Sequence, residues 1–346
     1  MAPRTREELE AYNKIDPEFE KEIKANPIPE KSLALEYFGH VGHRARFLAE
    51  RRRFYPIPAQ VPEVDETLLR VPMRDGYEIT VKLYSPINPP AKGSPLVVMF
   101  HEGGWCMGDL TDEDQNCRML ARDLECICLN VDYRLAPKYK FPVGVNDCWD
   151  ALQWAAKNAK GLQANPELGF VIGGASAGGN LVAVLTHVAR DESLSPPLTG
   201  QYLCVPVVCA ADELPDKYKD EYISWHANRQ DPVLRNPGSS SVHKALKPDP
   251  ASPLFSPLLW KDEEGRIAMG HKDLPRAYFQ VCGMDPLRDD GLIYERMLRE
   301  EFGIPTKLDL YPGFGHMWWS NFPRMSKSRW FVNDTLQGFK WLLQKS

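Results

Sequence analysis

Between residues 67 and 84 the chain alternates apolar and polar positions. Segments 67–72 (TLLRVP) and 78–84 (EITVKLY) flank the turn Arg74-Asp75-Gly76, and their two-residue period predicts a half-buried hairpin. From residue 96 the pattern changes. Short apolar runs at 96–100 (LVVMF), 126–131 (CICLNV), 170–173 (FVIG), 202–208 (YLCVPVV), 277–282 (AYFQVC) and 307–311 (KLDLY) read as buried strands. Between them, at 116–124, 148–158, 179–188 and 289–302, and again near the C terminus, apolar residues recur at helical spacing. Strand and helix in alternation predict an α/β fold: a mostly parallel sheet covered on both faces, with ligands at the carboxyl ends of its strands. Pro206 predicts a 202–208 strand that is short or irregular near its end.

Two segments break this rhythm. Residues 1–65 are charged and helix-prone, broken by Pro27, Pro29, Pro56, Pro58 and Pro62, with apolar faces from Leu33, Leu35, Tyr37, Phe38, Phe47 and Leu48. They read as a small N-terminal helical cap. Residues from about 211 to 275 are proline-rich and carry Trp225, Leu254, Phe255, Leu258, Leu259 and Trp260. They read as a lid inserted between two core strands. The expected organisation is a cap over 1–65 and a core over 66–346 that contains this insertion.

Composition narrows the function. An apolar share of 43% and a net charge of −5 are ordinary for a globular protein with a large core. The basic triplet Arg51-Arg52-Arg53 lacks an accompanying basic stripe or stacking platform, so it reads as a solvated helix face and no nucleic-acid partner is expected. No apolar run is long enough to span a bilayer, and the start MAPRTREE lacks the core of a signal peptide, which makes the cytoplasm the expected location. The eight cysteines (Cys106, Cys117, Cys126, Cys128, Cys148, Cys204, Cys209 and Cys282) are scattered, several within strands. Free buried thiols are expected rather than a disulfide framework. Without a C-x-x-C or a His/Cys cluster, no metal or cofactor is expected.

The candidate chemistry centres on Gly174-Ala175-Ser176-Ala177-Gly178, a G-x-S-x-G between a strand and a helix. A serine on so sharp a turn presents its hydroxyl above the sheet, and the N–H of Ala177 points to where an oxyanion would form. Such a serine needs a base and an orienting acid, expected in the order Ser, Asp or Glu, His. Asp285 is the first acid after the strand ending at Cys282, with Asp289 and Asp290 as alternatives. His316 follows the strand ending at Tyr311. His101, His187, His226, His243 and His271 compete with it, although His187 falls within a helix and His101 precedes a glycine loop. That loop, His101-Glu102-Gly103-Gly104-Trp105, lets backbone N–H groups converge on a carbonyl oxygen.

Together with Asp132-Tyr133-Arg134-Leu135-Ala136-Pro137, Phe141-Pro142 and Asp285-Pro286-Leu287-Arg288-Asp289, these motifs make residues 65–345 resemble the hormone-sensitive-lipase group of α/β-hydrolases. In flavour the chain is similar to fungal esterase-like members, some of them in secondary-metabolite pathways. The resemblance implies the α/β-hydrolase fold, a Ser176-Asp285-His316 triad, an oxyanion hole from Gly103, Gly104 and Ala177, and a cap built from the N terminus and an insertion. It also implies a structural turn at Tyr133-Arg134, and leaves homodimerisation through the C-terminal helix open. Two positions depart from the group's pattern: Glu102 stands where a glycine is usual, and Ala175 where an acid is usual. Glu102 is expected to face solvent or pair a cation, with contact to a polar substrate group or proton carriage as the sharper alternative. Trp105, Met107, Trp318 and Trp319 suggest a hydrophobic pocket. The expected activity is that of a carboxylesterase acting on a small-to-medium apolar ester through an acyl-enzyme. Acyl transfer, thioester cleavage, non-hydrolytic acid–base chemistry (lyase, isomerase or cyclase) and binding without turnover remain as other readings.

Overall fold

The computed structural model describes residues 4–28, 59–234, 241–261 and 270–344. Helices α1 (Arg6–Ala11) and α2 (Pro17–Ala25) come first. Thr5 and Glu8 form a reciprocal capping box at the start of α1, and Asp16 caps α2 by accepting from the N–H groups of Glu18 and Phe19. The apolar positions 33–48 assigned to the N-terminal cap lie outside the described residues.

The expected hairpin is β1 (Val64–Pro72) and β2 (Glu78–Pro86), paired antiparallel. Then come β3 (Leu96–Phe100), α3 (Asp114–Asp123), β4 (Ile127–Asp132), α4 (Val143–Asn158), β5 (Phe170–Ala175), α5 (Ala177–Asp191) and β6 (Gly200–Cys204). The segment from 211 to 275 contains short 3-10 turns and the helices α6 (Ser224–Ala227) and α7 (Ser241–Leu246). The alternation resumes with β7 (Arg276–Cys282), α8 (Arg288–Glu301), β8 (Thr306–Tyr311), the short α9 (Trp318–Asn321) and α10 (Ser328–Leu342). Strand order is β1-β2-β4-β3-β5-β6-β7-β8, antiparallel through β1, β2 and β4 and parallel from there on. Strand β6 stops at Cys204, because Val205 takes a φ of 39° and Pro206 has no N–H for the ladder.

Alternation along the strands builds two cores. In β3, Leu96, Val98 and Phe100 face one layer with Ile172, Leu181 and Leu185, while Val97 and Met99 face the other with Val171, Tyr202 and Phe339. The register then fixes one working edge. Phe100 lies opposite Gly174, Ala175 opposite Cys204, and Cys282 opposite Tyr311. The loops that follow these strand ends therefore emerge side by side.

Candidate active site

Ser176 sits between β5 and α5 with φ 53° and ψ −115°, a strained conformation that lifts its side chain off the sheet. Its N–H donates to the Cys204 carbonyl at 2.9 Å, which ties the turn to β6. The turn also demands close backbone approach: a Cβ on Gly178 would lie 2.0 Å from the Phe100 carbonyl oxygen. Around this point the chain brings three sequence-distant side chains into one line. His316 Nε2 lies 3.0 Å from Ser176 Oγ, and His316 Nδ1 lies 2.7 Å from Asp285 Oδ2. With Nδ1–H donating to the carboxylate, Nε2 is left to accept the serine proton. Asp285 Oδ1 accepts from the Leu287 N–H at 2.8 Å, which fixes the carboxylate. All three side chains are buried.

Burial alone would push the His316 imidazole down. The charge and hydrogen bond of Asp285, with help from Asp231 and Glu102, outweigh that and hold its pKa above the usual value. The rival residues are engaged elsewhere. Asp289 pairs with Arg288 and accepts from the N–H groups of Ile223 and Ser224, while Asp290 accepts from Val208, Cys209 and Tyr222. His187 bonds His271 at 2.9 Å, His101 stacks on Tyr133, His243 leans on Phe255, and His226 is exposed.

Beyond β3 the chain turns sharply. Gly103 and Gly104 take φ of 115° and 59°, and a Cβ on Gly103 would lie 2.5 Å from the Met107 carbonyl oxygen. Trp105 packs on Phe255 of the insertion and accepts from the Ala136 N–H through its carbonyl. Tyr133 supports the loop from below by donating its hydroxyl to the His101 carbonyl at 2.9 Å. Asn180, on the first turn of α5, donates to the carbonyls of Val207 and Phe255 and so fastens the insertion to the serine helix.

Two expectations are corrected. Glu102 does not face solvent: it is 7% exposed and lines a cavity of about 40 Å³ behind the serine turn, with Asp112, Glu113, Ala175 and Trp319. That is room for two or three waters. Burial and the neighbouring Glu102 hold Glu113 well above the usual carboxylate range. Trp318 is a core side chain rather than a cleft wall, stacked on Phe314 at 4.0 Å, whereas its neighbour Trp319 reaches the cavity. All eight cysteines are free and buried, and burial pushes the thiols of Cys126, Cys148 and Cys209 up, which suits packing rather than nucleophilic attack. Among the described residues no group of His, Cys, Asp or Glu could hold a metal, and no helix is long and apolar enough to cross a membrane.

A family described by the α/β-hydrolase fold is matched over residues 97–320, and the chain belongs to the α/β-hydrolases, in the hormone-sensitive-lipase-like group. It is 37% identical over 340 residues to an AB hydrolase superfamily protein of Schizosaccharomyces pombe, across 96% of this chain and 95% of that one. It is 34% identical to versiconal hemiacetal acetate esterase of Dothistroma septosporum, covering 72% of this chain and 75% of the relative. Among solved structures, vibralactone cyclase superposes with a TM-score of 0.86 at 32% identity, covering 99% of this chain and 98% of that one.

Proposed function

We propose that this chain is a carboxylesterase that cleaves a small-to-medium apolar ester by way of a covalent acyl-enzyme on Ser176. The observation that carries the reading is the buried Ser176–His316–Asp285 hydrogen-bond line at the carboxyl edge of the sheet. Esterase relatives support it at the level of the reaction class.

The chemistry follows from the atoms. Ser176 Oγ attacks the ester carbonyl as its proton passes to His316 Nε2, and Asp285 stabilises the imidazolium. The carbonyl oxygen, now negative, faces the N–H groups of Gly103, Gly104 and Ala177, where one donor is worth about 3 kcal/mol. The intermediate collapses, His316 returns the proton to the departing alkoxide, and the alcohol leaves. Water then attacks the acyl-serine and gives a proton to His316, and the carboxylic acid departs with Ser176 restored. In this reading the N-terminal segment and the 211–275 insertion act as the cap over the reacting ester.

A second reading has one observation in its favour, the similarity to a cyclase over nearly the whole chain. The acyl-serine would pass to a hydroxyl of the same substrate instead of water, closing a ring ester and releasing Ser176. Turnover of p-nitrophenyl acetate, butyrate and octanoate by the wild type and by Ser176→Ala tests the first reading. Hydrolysis that disappears in the variant is expected, whereas equal turnover in both, or none in the wild type, overturns it. A hydroxy-ester substrate separates the two fates, since a ring product is one water lighter than the open acid.

A further inference from the structure

The insertion reaches the reacting edge through Asp231, a residue that no local motif marks. The residue is 3% exposed. Oδ2 accepts the His316 backbone N–H at 2.8 Å, and Oδ1 accepts from Val233 and Leu234 at 2.8 and 2.6 Å. The fit is close, because a Cβ on Gly315 would lie 2.0 Å from Asp231 Oδ2. Neighbouring residues of the same segment hold the other loop. Asn228 Nδ2 donates to the carbonyls of Gly283 and Asp285 at 3.3 and 3.1 Å, and Ser224 Oγ donates to the Pro286 carbonyl at 2.8 Å. Residues 223–231 thus touch the loops of both His316 and Asp285.

We propose that Asp231 is a positioning residue for the base: it anchors the backbone of His316 so that Nε2 meets Ser176 while Nδ1 meets Asp285, and it sets a second carboxylate beside the imidazole. The proposal rests on reading His316 as the base. Its charge has a definite sign of effect. The groups acting on Asp231 are Asp285 and His316, and those raising His316 are Asp285, Asp231 and Glu102. Burial, then the charge of Asp285, pushes the Asp231 carboxyl up to about 7. Where Asp231 is ionised it favours imidazolium, so removing its charge moves the His316 titration, and with it the acid limb of activity, to lower pH.

Two variants grade the loss. Asp231→Asn removes the charge and one of the two acceptor oxygens, since the N–H groups of His316, Val233 and Leu234 then meet one oxygen and one amide nitrogen, and Asp231→Ala removes the charge and both oxygens. Rates are taken per active site, counted from the fluorophosphonate adduct by mass spectrometry. Asp231→Ala is expected to lose about 100-fold in kcat with little change in KM, the scale of a misplaced reacting group. Asp231→Asn is expected to lose less, while the acid limb of kcat/KM moves to lower pH. A purely structural role would lower Tm and the number of titrated sites but leave the limb and the rate per site at wild-type values, and that result overturns the proposal. Should Asp231→Ala fail to fold, the limb of Asp231→Asn decides. If the wild type itself takes no label at Ser176, the acyl-enzyme reading fails first. If it is labelled normally and both variants match it, only the role of Asp231 falls.

Discussion

Replacing Asp285 with asparagine exchanges one buried oxygen for an amide nitrogen and tests how the base is aimed. In the wild type the carboxylate accepts from His316 Nδ1 at 2.7 Å and from the Leu287 N–H at 2.8 Å, with no exposure to water. The backbone N–H of Leu287 keeps an oxygen on its side, which turns the new amide nitrogen toward His316. Nδ1 must then accept instead of donate, the proton moves to Nε2, and the ring can no longer take the Ser176 proton. Loss of the working tautomer costs about 10³–10⁴ in kcat, or about 4–5.5 kcal/mol of barrier. The charge is lost as well. Asp285 contributes the largest of the effects that raise His316 against its burial, so the residual activity keeps its neutral base to lower pH and the acid limb of kcat/KM moves down. The assay is hydrolysis of p-nitrophenyl butyrate from about pH 5 to pH 9, on protein whose fold is checked by circular dichroism. A variant within tenfold of wild type at the plateau, with its limb unmoved, would refute the assignment of Asp285 as the orienting acid.

Three more outcomes follow from packing and linkage. Gly178→Ala sets a Cβ 2.0 Å from the Phe100 carbonyl, where two backbones meet and neither yields cheaply; a loss of about 3 kcal/mol or more is expected in urea unfolding. Asn180→Ala removes the donors to Val207 and Phe255 and should cost about 2 kcal/mol by the same measurement, with faster proteolysis within 211–261. Asp290 is pushed by burial from its usual 3.8 up to about 7. Between those values the native state holds a proton that the unfolded chain has released, so stability falls as pH rises through that window; Asp290→Asn should flatten Tm between about pH 4 and pH 7.

Much of the fold was legible because it is written locally. Apolar runs such as LVVMF at 96–100 cannot be solvated, and glycine pairs at 103–104 and 178–179 mark where backbones must turn or touch. Helix starts were less legible. Helix α4 begins at Val143 rather than near Cys148, because Pro142 and Val143 start it without a capping side chain that sequence could reveal. Strand-end position and chain order single out the side chains that meet at Ser176, and both are properties of topology. Asp231 and the burial of Glu102 had no such signal. Asp231 contacts a backbone 85 residues away, and the path of an insertion whose described residues form only short helices and 3-10 turns is set by tertiary contacts instead of periodicity. Glu102 lies in a glycine loop that usually reads as exposed, yet the chain folds it back toward Glu113 and Ala175.

The central claim is that Ser176 is a nucleophile activated by His316, and intact-mass spectrometry after incubation with a fluorophosphonate tests it most directly. The account predicts one adduct per chain, mapped by peptide sequencing to Ser176, formed in step with the loss of ester turnover and absent in His316→Ala. A fully unlabelled protein that still hydrolyses the esters, or an adduct on any other residue that tracks the loss of activity, would contradict it.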